Sequence, residues 1–385
     1  MSTYAIKAAK FLLPGAVMRG GYLTIEDGKF GFWSDEVADE VPVVDESGKW
    51  VVPGFVDTHI HGFYNHATTD CDADGVNVSS VELARRGTTS WLPTTFTESP
   101  EHIRDACAAI AEADEKRDES FVGAHIQGIY LEGPFFTQKH VGAQNPAYLI
   151  DPSYEVFSSW QEAAGGRIRK SALAAERDAA PEYCARLAAE GVVTCVGHSD
   201  ATYAEALAAV NAGATCFVHT YNGMRGLHHR EPGIVGCAMT TPETYAEIIC
   251  DGVHVNPAAI KAVINAKGWD HVVLITDCLG PGGMPDGDYM SGGLPVVMRD
   301  GTCYLREGGN LAGSTATLAK IVKNVYDWQL VTAEQALRMA TEVPARSAGI
   351  SAVCGSILPG RDADFNVLDA ELNLEATYMG GKLVE

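Results

Sequence analysis

Histidine and acidic residues recur along this 385-residue chain where a short apolar run gives way to glycine, proline or a polar loop. The five segments are Asp57-Thr58-His59-Ile60-His61, Leu131-Glu132-Gly133-Pro134, Gly197-His198-Ser199, His219-Thr220-Tyr221-Asn222 and Thr276-Asp277. Imidazole nitrogens and carboxylate oxygens bind divalent metals, and a site with three such ligands leaves a position for a reactive water. The residue types therefore predict a metal-dependent hydrolytic site.

Three residues in these segments are the predicted ligands of one metal ion: Glu132, His198 and His219. Asp277 is the predicted catalytic residue, because a carboxylate at this place can accept a proton from the water that attacks the substrate. His59 and His61 alternate on one strand, so both side chains point to the same face. This pair could hold a second metal ion or shape the pocket.

Each segment has a simpler interpretation when it is taken alone. A single Gly-His-Ser is more often a turn, a single Leu-Glu-Gly-Pro is usually a strand end with a solvated carboxylate, and a His-x-His pair occurs by chance. For the simpler interpretations to hold, all five segments would have to be unrelated to one another although each follows a predicted strand. The combination favours the metal site, although the spacing alone does not name a substrate.

The elements that position these segments follow from an alternation of apolar runs with helical spacing. Eight runs predict strands at residues 51–56, 88–92, 124–131, 168–174, 192–196, 214–218, 246–250 and 272–275. Helical spacing of apolar residues occurs at 203–210 and again at 318–325, where Ser314 of a predicted Leu311-Ala312-Gly313-Ser314 turn is the expected N-cap. The pattern predicts an α/β fold, a (β/α)8 TIM-like barrel with its active site at the C-terminal strand ends.

Both ends of the chain have a shorter pattern of strands and turns, with Glu26-Asp27-Gly28-Lys29 as a hairpin signal. Two β segments at opposite chain ends can pair only if the middle folds back compactly. We therefore expect a small β-sandwich domain from residues 1–52 and 355–385, beside a catalytic barrel from residues 53–354.

Composition excludes some partners. A net charge of −22 repels nucleic acid and anionic lipid, so neither is expected, and an anionic substrate would need a local basic site. The ten cysteines show no CxxC or paired spacing, which is typical of a reducing compartment. Because no signal peptide or membrane span is recognisable, the cytoplasm is the expected location.

Together the motifs resemble the N-acetylglucosamine-6-phosphate deacetylase family of the amidohydrolase superfamily over nearly the whole chain. They are Pro53-Gly54-Phe55-Val56-Asp57-Thr58-His59-Ile60-His61-Gly62, Leu131-Glu132-Gly133-Pro134-Phe135, Gly197-His198-Ser199, His219-Thr220-Tyr221-Asn222-Gly223-Met224, Arg230-Glu231-Pro232-Gly233, Asp251-Gly252-Val253-His254, Thr276-Asp277 and Leu311-Ala312-Gly313-Ser314. The first marks only the superfamily, whereas the glutamate, the His-x-x-Asn-x-Met form and the Arg-Glu-Pro-Gly run are more specific. The resemblance implies removal of the N-acetyl group from N-acetylglucosamine 6-phosphate, giving glucosamine 6-phosphate and acetate in amino sugar catabolism.

The resemblance also implies the roles of individual residues. The three metal ligands and the catalytic Asp277 are those given above. The residues implied to bind the phosphorylated acetylamino sugar are Asn222, the backbone of Gly223, His254 and Arg230. In the family this arginine reaches the neighbouring subunit's site, so a homodimer is implied, and a guanidinium suits phosphate because it binds in a bidentate manner.

Gln144 marks a departure from the family pattern. The family usually has Lys-Gly-Ala-His-Asn after the third strand, where this chain has Val141-Gly142-Ala143-Gln144-Asn145. The family's histidine helps to polarise the acetyl carbonyl. Gln144 could still donate a hydrogen bond to the substrate but cannot carry charge, so rate or sugar preference could differ. Gly223 replaces the usual alanine, which should matter little if the contact is through the backbone.

The metal and the substrate remain open at this point. Some family members lack the His59 and His61 pair and use one ion, so this chain could bind one or two ions per subunit. Zinc is expected first, and iron, manganese or cobalt suit the same ligands. The alternative substrates are N-acetylgalactosamine 6-phosphate, or those of another amidohydrolase such as a cyclic amidase or a deaminase. A barrel that lost catalysis and serves as a scaffold is a third alternative.

Overall fold

The computed structural model describes residues 3–385, with an eight-stranded parallel barrel at the centre of the chain. Its strands neighbour one another in chain order, and they are Phe55–Ile60, Thr88–Thr95, Ile129–Phe135, Ile168–Leu173, Val193–Val196, Ala214–Phe217, Tyr245–Ile249 and Val272–Ile275. After the eighth strand, the backbone N–H of Asp277 donates to the carbonyl of His59 in the first strand at 2.9 Å. This bond brings the last strand back beside the first, and the predicted barrel is confirmed.

Helices cover the outside of the barrel. The α-helices are Ala73–Ala84, Pro100–Glu115, Tyr154–Ala163, Ala180–Ala189, Tyr203–Asn211, Gly233–Thr240, Pro257–Lys267, Leu318–Asp327, Ala333–Met339 and Glu342–Ser347, and the 3-10 helices are Gln138–His140, Pro146–Tyr148 and Trp269–His271. Many begin at a polar cap, as where Thr202 and Glu205 form a reciprocal capping box. Buried side chains such as Trp160 and Ile260 fill the layer between helices and strands. In the described part of the chain, no helix combines the length and apolar character needed to cross a bilayer.

A separate sheet joins both ends of the chain. Its strands are Thr3–Leu13, Ala16–Arg19, Tyr22–Glu26, Lys29–Ser34, Val43–Pro53, Phe365–Leu368, Leu374–Met379 and Lys382–Leu383. Val43–Pro53 pairs in parallel with Thr3–Leu13 and antiparallel with Phe365–Leu368, so both termini meet on one strand. The predicted hairpin turn is also confirmed, since Asp27 and Gly28 both have positive φ between paired Glu26 and Lys29.

The chain passes from this sheet into the barrel at Gly54. The prediction of one strand at residues 51–56 was wrong, because Val43–Pro53 belongs to the terminal sheet and Phe55–Ile60 to the barrel. A Cβ on Gly54 would lie 2.0 Å from Thr89 Oγ1, so only glycine fits where the chain changes sheets. We propose that the domain boundary lies next to this glycine. Residues 1–52 and 355–385 then form the small β domain, and residues 53–354 form the catalytic barrel. Residues 1 and 2 lie outside the described range.

An antiparallel sheet of four strands follows the eighth barrel strand and was not predicted. Its strands are Gly287–Ser291, Leu294–Arg299, Thr302–Leu305 and Leu311–Gly313, and two-residue strands elsewhere are Gly62–Phe63, His66–Ala67 and His125–Ile126. The predicted turn at residues 311–314 with Ser314 as an N-cap was wrong. The Ser314 hydroxyl donates to the carbonyl of Thr276 at 2.5 Å, and Thr317 caps the following helix. Pairing of Leu311–Gly313 within the four-stranded sheet therefore takes precedence over the local sequence signal for a helix cap at Ser314.

Arg338 lies between the barrel helices and the terminal sheet, and only 4% of the residue is exposed. Its guanidinium donates to Glu334 Oε1 and to the carbonyl of Leu13, both at 3.0 Å, and to Glu342 Oε1 at 2.5 Å. The side chain therefore joins the helices that follow the barrel to the first strand of the terminal sheet.

We expect Arg338→Met to lower the free energy of unfolding by about 3 kcal/mol, because it leaves the Glu342 carboxylate without its buried partner. Denaturant unfolding followed by circular dichroism measures the change. Arg186→Met is the control, since Arg186 and its partner Glu182 are 52% and 72% exposed and such pairs contribute little. Equal losses in the two variants would contradict the joining role of Arg338.

Candidate metal centre and substrate pocket

The three predicted ligands meet at the C-terminal mouth of the barrel. Glu132 lies in the third strand, and His198 and His219 follow the fifth and sixth strands. The Nε2 atoms of the two histidines lie 3.3 and 3.0 Å from Glu132 Oε1 and 3.0 Å from each other. All three residues are buried, and their ligand atoms are close enough together to bind one ion.

A second group of ligand atoms lies beside the first. Asp277 Oδ1 is 3.2 Å from His61 Nε2 and 3.5 Å from His59 Nε2. The same two histidine atoms lie 3.1 and 3.3 Å from the two carboxylate oxygens of Glu132. Glu132 therefore lies between both groups, where a carboxylate could bridge two ions.

Hydrogen bonds fix the orientation of the histidine rings. His198 Nδ1 lies 2.8 Å from the carbonyl oxygen of His140, and His61 Nδ1 lies 3.1 Å from that of Thr94. A carbonyl only accepts, so each Nδ1 carries the proton and each Nε2 of a neutral ring carries a lone pair. Such outer partners orient histidine ligands in metal sites.

The lone pairs of His61 and His198 point at oxygens of Glu132, which also only accepts when it is ionised. Lone pairs directed at a carboxylate repel it, and a cation at the centre of the cluster removes that repulsion. The donor set and its burial therefore fit a divalent metal.

The two carboxylates of the cluster stay ionised. Burial raises the pKa of Glu132, but positive charge on the ring of His59 and hydrogen bonds from His198, His219 and His59 outweigh this and hold the pKa well below its usual range. A cation bound beside neutral rings would supply the same positive charge. Burial also opposes ionisation of Asp277, and the ring of His61 lowers its pKa below the ordinary value. Asp277 therefore starts as a carboxylate, the form that accepts a proton.

Backbone strain is concentrated in the same residues. The backbone φ values of His198, His219 and Asp277 are 45°, 22° and 51°, in the left-handed region that residues other than glycine rarely adopt. Each such residue costs roughly 1–3 kcal/mol and persists only where the surrounding structure imposes it. The strain follows the ends of three barrel strands, where it is typical of a functional site.

A cavity of about 150 Å³ opens above the cluster. Its walls are His61, Phe96, Glu132, Gly142, Ala143, Gln144, His198, His219, Asn222, Gly223, His254, Asp277, Leu311, Ala312 and Gly313. The structure thus gathers the predicted site residues around one space, except for His59 and Arg230. His59 reaches the cluster from inside the barrel, where it is fully buried.

Gln144 is held at both ends of its amide group. Its Oε1 accepts from the backbone N–H of Thr97 at 2.6 Å, and its Nε2 donates to Glu132 Oε2 at 2.5 Å. Gln144 therefore contacts a predicted metal ligand directly. Its amide has a second N–H, which gives the cavity wall a donor for a substrate oxygen.

His254 brings to the cavity a ring whose protonated form is favoured by a neighbouring carboxylate. Its Nδ1 lies 2.6 Å from Asp251 Oδ2, and its side chain is 5% exposed. Burial lowers the pKa of this ring, but the Asp251 carboxylate more than reverses the effect and raises the pKa above its ordinary value. A protonated ring on the cavity wall suits an anionic group.

Gly223 lies close to one of the ligands. Its φ is +59°, and a Cβ at this position would lie 3.0 Å from His198 Nδ1. The glycine therefore lets the loop after the sixth strand approach the ring of His198 and the cavity together.

Arg230 is not brought into the cavity of its own chain. It lies in an exposed loop segment, residues 226–230, and its Nη1 is 2.8 Å from His229 Nε2. The geometry of one chain therefore leaves Arg230 available to a surface outside its own site.

Glu247 and Lys170 also belong to this region, although the sequence motifs did not predict them. Glu247 Oε2 lies 3.0 Å from His59 Nδ1, and Lys170 Nζ pairs with the other oxygen of Glu247, fully buried inside the barrel. Their positions in the sequence did carry a signal, since both are charged residues within predicted barrel strands. Such strands are buried on both faces, so each charge requires a partner.

The amidohydrolase family model matches residues 50–384. The N-acetylglucosamine-6-phosphate deacetylase of Vibrio furnissii is 40% identical over 334 residues, which cover 87% of this chain and 82% of that protein. The N-acetylgalactosamine-6-phosphate deacetylase of Escherichia coli O157:H7 is 34% identical and covers 99% of both chains. A solved structure of a mutant N-acetyl-D-glucosamine-6-phosphate deacetylase from Mycobacterium smegmatis, in complex with N-acetyl-D-glucosamine-6-phosphate, has a TM-score of 0.93 at 30% identity and covers 100% of both chains.

The family match spans most of the chain, and the similarity to these relatives covers most of their length as well. The barrel and the two groups of candidate metal ligands at its mouth agree with that match. The chain belongs to the amidohydrolase family, in the branch that contains the N-acetylglucosamine-6-phosphate deacetylases.

Proposed function

We propose that the protein removes the acetyl group from N-acetylglucosamine 6-phosphate, giving glucosamine 6-phosphate and acetate in amino sugar catabolism. The observation that carries the proposal is the convergence of Glu132, His198, His219 and Asp277 on a cavity that also presents the cationic ring of His254. The similarity to relatives named for this reaction supports it.

Glu132, His198 and His219 are the proposed ligands of the first metal ion, and His59 and His61 those of a second. A divalent metal bound there supplies an activated water and polarises the acetyl carbonyl. Two histidines and a carboxylate suit zinc first, and also iron, manganese or cobalt.

Asp277 is the proposed acid and base. Its lowered pKa keeps it ionised near neutral pH, so it can accept a proton from the water as the water oxygen attacks the acetyl carbon. It then gives that proton to the amide nitrogen as the C–N bond breaks, which releases acetate and the amino sugar.

Gln144 is proposed to bind the acetyl group. Its amide is fixed between Thr97 and Glu132, so one N–H can face the carbonyl oxygen where negative charge develops. A neutral amide donates a weaker hydrogen bond than a charged ring. The structure of this wall therefore favours orientation of the acetyl group over stabilisation by a full charge.

The phosphate is proposed to lie against Asn222, the backbone of Gly223 and His254, with Arg230 contributed by the partner in a homodimer. The exposure of Arg230 on its own chain supports this arrangement. In a chain of net charge −22, two cationic groups at one wall also give a phosphate the local attraction that the rest of the surface lacks.

N-acetylgalactosamine 6-phosphate is the second candidate substrate. The Escherichia coli relative, whose alignment covers 99% of this chain, is named for the galactosamine substrate. This name supports N-acetylgalactosamine 6-phosphate as an alternative. The two sugars differ only in the orientation of one hydroxyl group, so one or two contacts in the cavity would decide between them.

The cytoplasm is the proposed location. All ten cysteines are free thiols, and eight of them are buried. Thiols without disulfides are typical of a reducing compartment.

Glu132→Ala should lower the number of metal ions bound per chain, because this carboxylate contacts both groups of ligands. Elemental analysis of dialysed protein after loading with zinc measures the number. Glu190→Ala, which removes an exposed carboxylate, should bind as many ions as the unmodified protein. An unchanged count in Glu132→Ala would contradict its role as a ligand.

Metal-loaded protein should release acetate from N-acetylglucosamine 6-phosphate and much less from the unphosphorylated sugar. The rate with N-acetylgalactosamine 6-phosphate, measured in the same assay, decides whether that sugar is also a substrate. Asp277→Asn should lower kcat by about 10²–10⁴-fold through the loss of proton transfer, while the ion held by Glu132, His198 and His219 remains bound. Full activity in Asp277→Asn would refute its assignment, and no release from any of the three sugars would refute the proposed reaction.

A mixture of two inactive variants tests the shared site. Arg230→Ala and Asp277→Asn should each be inactive as pure dimers. After denaturation and refolding together, half the dimers are hybrids with one intact site, so activity should return to about a quarter of the unmodified level. No recovery, with mixed dimers shown by native mass spectrometry, would place Arg230 outside the partner's site.

A further inference from the structure

A line of polar side chains crosses the barrel interior below the proposed metal ligands. His59 Nδ1 lies 3.0 Å from Glu247 Oε2, and Lys170 Nζ pairs with Glu247 Oε1. Lys170 Nζ also lies 4.5 Å from the centre of the Tyr130 ring, which packs edge-on against the ring of His59 at 4.9 Å. All four residues are fully buried. The steps proposed for catalysis use neither Glu247 nor Lys170.

Stability alone gives no reason for this ion pair. Moving two charges out of water costs several kcal/mol per ion, and well-packed apolar residues in their place are often as stable or more so. An ion pair kept inside a barrel, with one of its oxygens against a proposed metal ligand, therefore points to a role in the site.

We infer that Glu247 and Lys170 are positioning residues that present Nε2 of His59 to a second metal ion, beside His61 and Asp277. The inference rests on the proposed metal site and adds to it the means by which His59 becomes a ligand.

When the His59 ring is neutral, as a metal ligand must be, the donors and acceptors allow one arrangement. Lysine can only donate, so it occupies Oε1 of Glu247. The carboxylate can only accept, so its free oxygen Oε2 requires a proton on His59 Nδ1. The other ring nitrogen, Nε2, then carries the lone pair, and it makes no hydrogen bond within residues 3–385 although it is buried. It faces the oxygens of Glu132 and Asp277 at 3.3 and 3.5 Å.

The variant Glu247→Gln keeps the shape of this side chain and reverses its effect. The ammonium of Lys170 requires the amide oxygen, which turns the amide N–H₂ towards His59 Nδ1. That nitrogen must then accept, so the proton moves to Nε2 and the lone pair that would bind metal is lost. The second metal site should therefore lose at least about tenfold in affinity, the effect of removing an outer partner of a histidine ligand.

The double variant Lys170→Met with Glu247→Gln should restore binding in part. Without the ammonium, the amide oxygen is free to turn to His59 and accept from Nδ1. Recovery on adding a second substitution distinguishes a positioning role from a structural one, because a merely structural pair would be damaged further.

Zinc titration followed by calorimetry and elemental analysis gives the number of ions and both affinities, and the d–d absorption of the cobalt-loaded protein reports the coordination of each ion. Both readouts are independent of turnover, so a protein that fails to release acetate can still confirm or refute the positioning role. His59→Ala identifies the site that depends on this ring. Glu342→Gln is the matched control, since Glu342 pairs with another buried cation, Arg338, away from the cluster.

The expected result is a weakened second site in Glu247→Gln, partial recovery in the double variant, and an unchanged titration in Glu342→Gln. Two outcomes would overturn the inference. One is a Glu247→Gln protein that binds both ions as tightly as the unmodified chain. The other is a His59→Ala protein with unchanged ion count and affinities, because the ring would then not be a ligand at all.

Discussion

The site depends on one buried carboxylate, that of Glu132. Four histidine Nε2 atoms lie within 3.3 Å of its two oxygens. The Glu132 carboxylate can stay ionised inside the barrel only because cationic partners or a metal ion balance its negative charge. The outer hydrogen bonds that orient the rings and the strained backbone of His198, His219 and Asp277 serve the same arrangement. A buried charge whose partners come from the first, fifth and sixth strands also fixes how those strands lie relative to the third.

The cavity wall proposed to face the sugar phosphate meets a different constraint. The chain is strongly acidic as a whole, so attraction for an anion has to be local and short in range. Asp251 contributes to this attraction indirectly, because its carboxylate raises the pKa of His254 in spite of burial and so favours the cationic ring. A shared site between subunits would complete the same wall with the guanidinium of Arg230. Affinity for the phosphate and assembly of the dimer would then be linked.

Much of the barrel and of the ligand set could be predicted from the sequence, since each reactive residue directly follows an apolar run and parallel strand ends meet at one mouth. The rest depends on contacts between distant segments. The pairing of Glu247 with Lys170 joins the seventh and fourth strands. The local sequence shows that each buried charge needs a partner, but it does not show which residue that partner is. Gly54 sits within one apolar run that is divided between two sheets, and the sheet at residues 287–313 overrides the cap signal at Ser314. The proposed place of Arg230 beside a phosphate would require a second chain.

The sheet built from both chain ends has a consequence for synthesis. Val43–Pro53 is an inner strand of the finished sheet, held by Thr3–Leu13 on one side and by Phe365–Leu368 on the other. During translation the first neighbour is present early, whereas the second emerges only after the whole barrel has been made. Until then the nascent chain carries an open strand edge, which is a template for pairing with other chains. The sheet therefore closes only after residues 365–368 have emerged, and a chain cut short before residue 365 would keep that edge open throughout its lifetime.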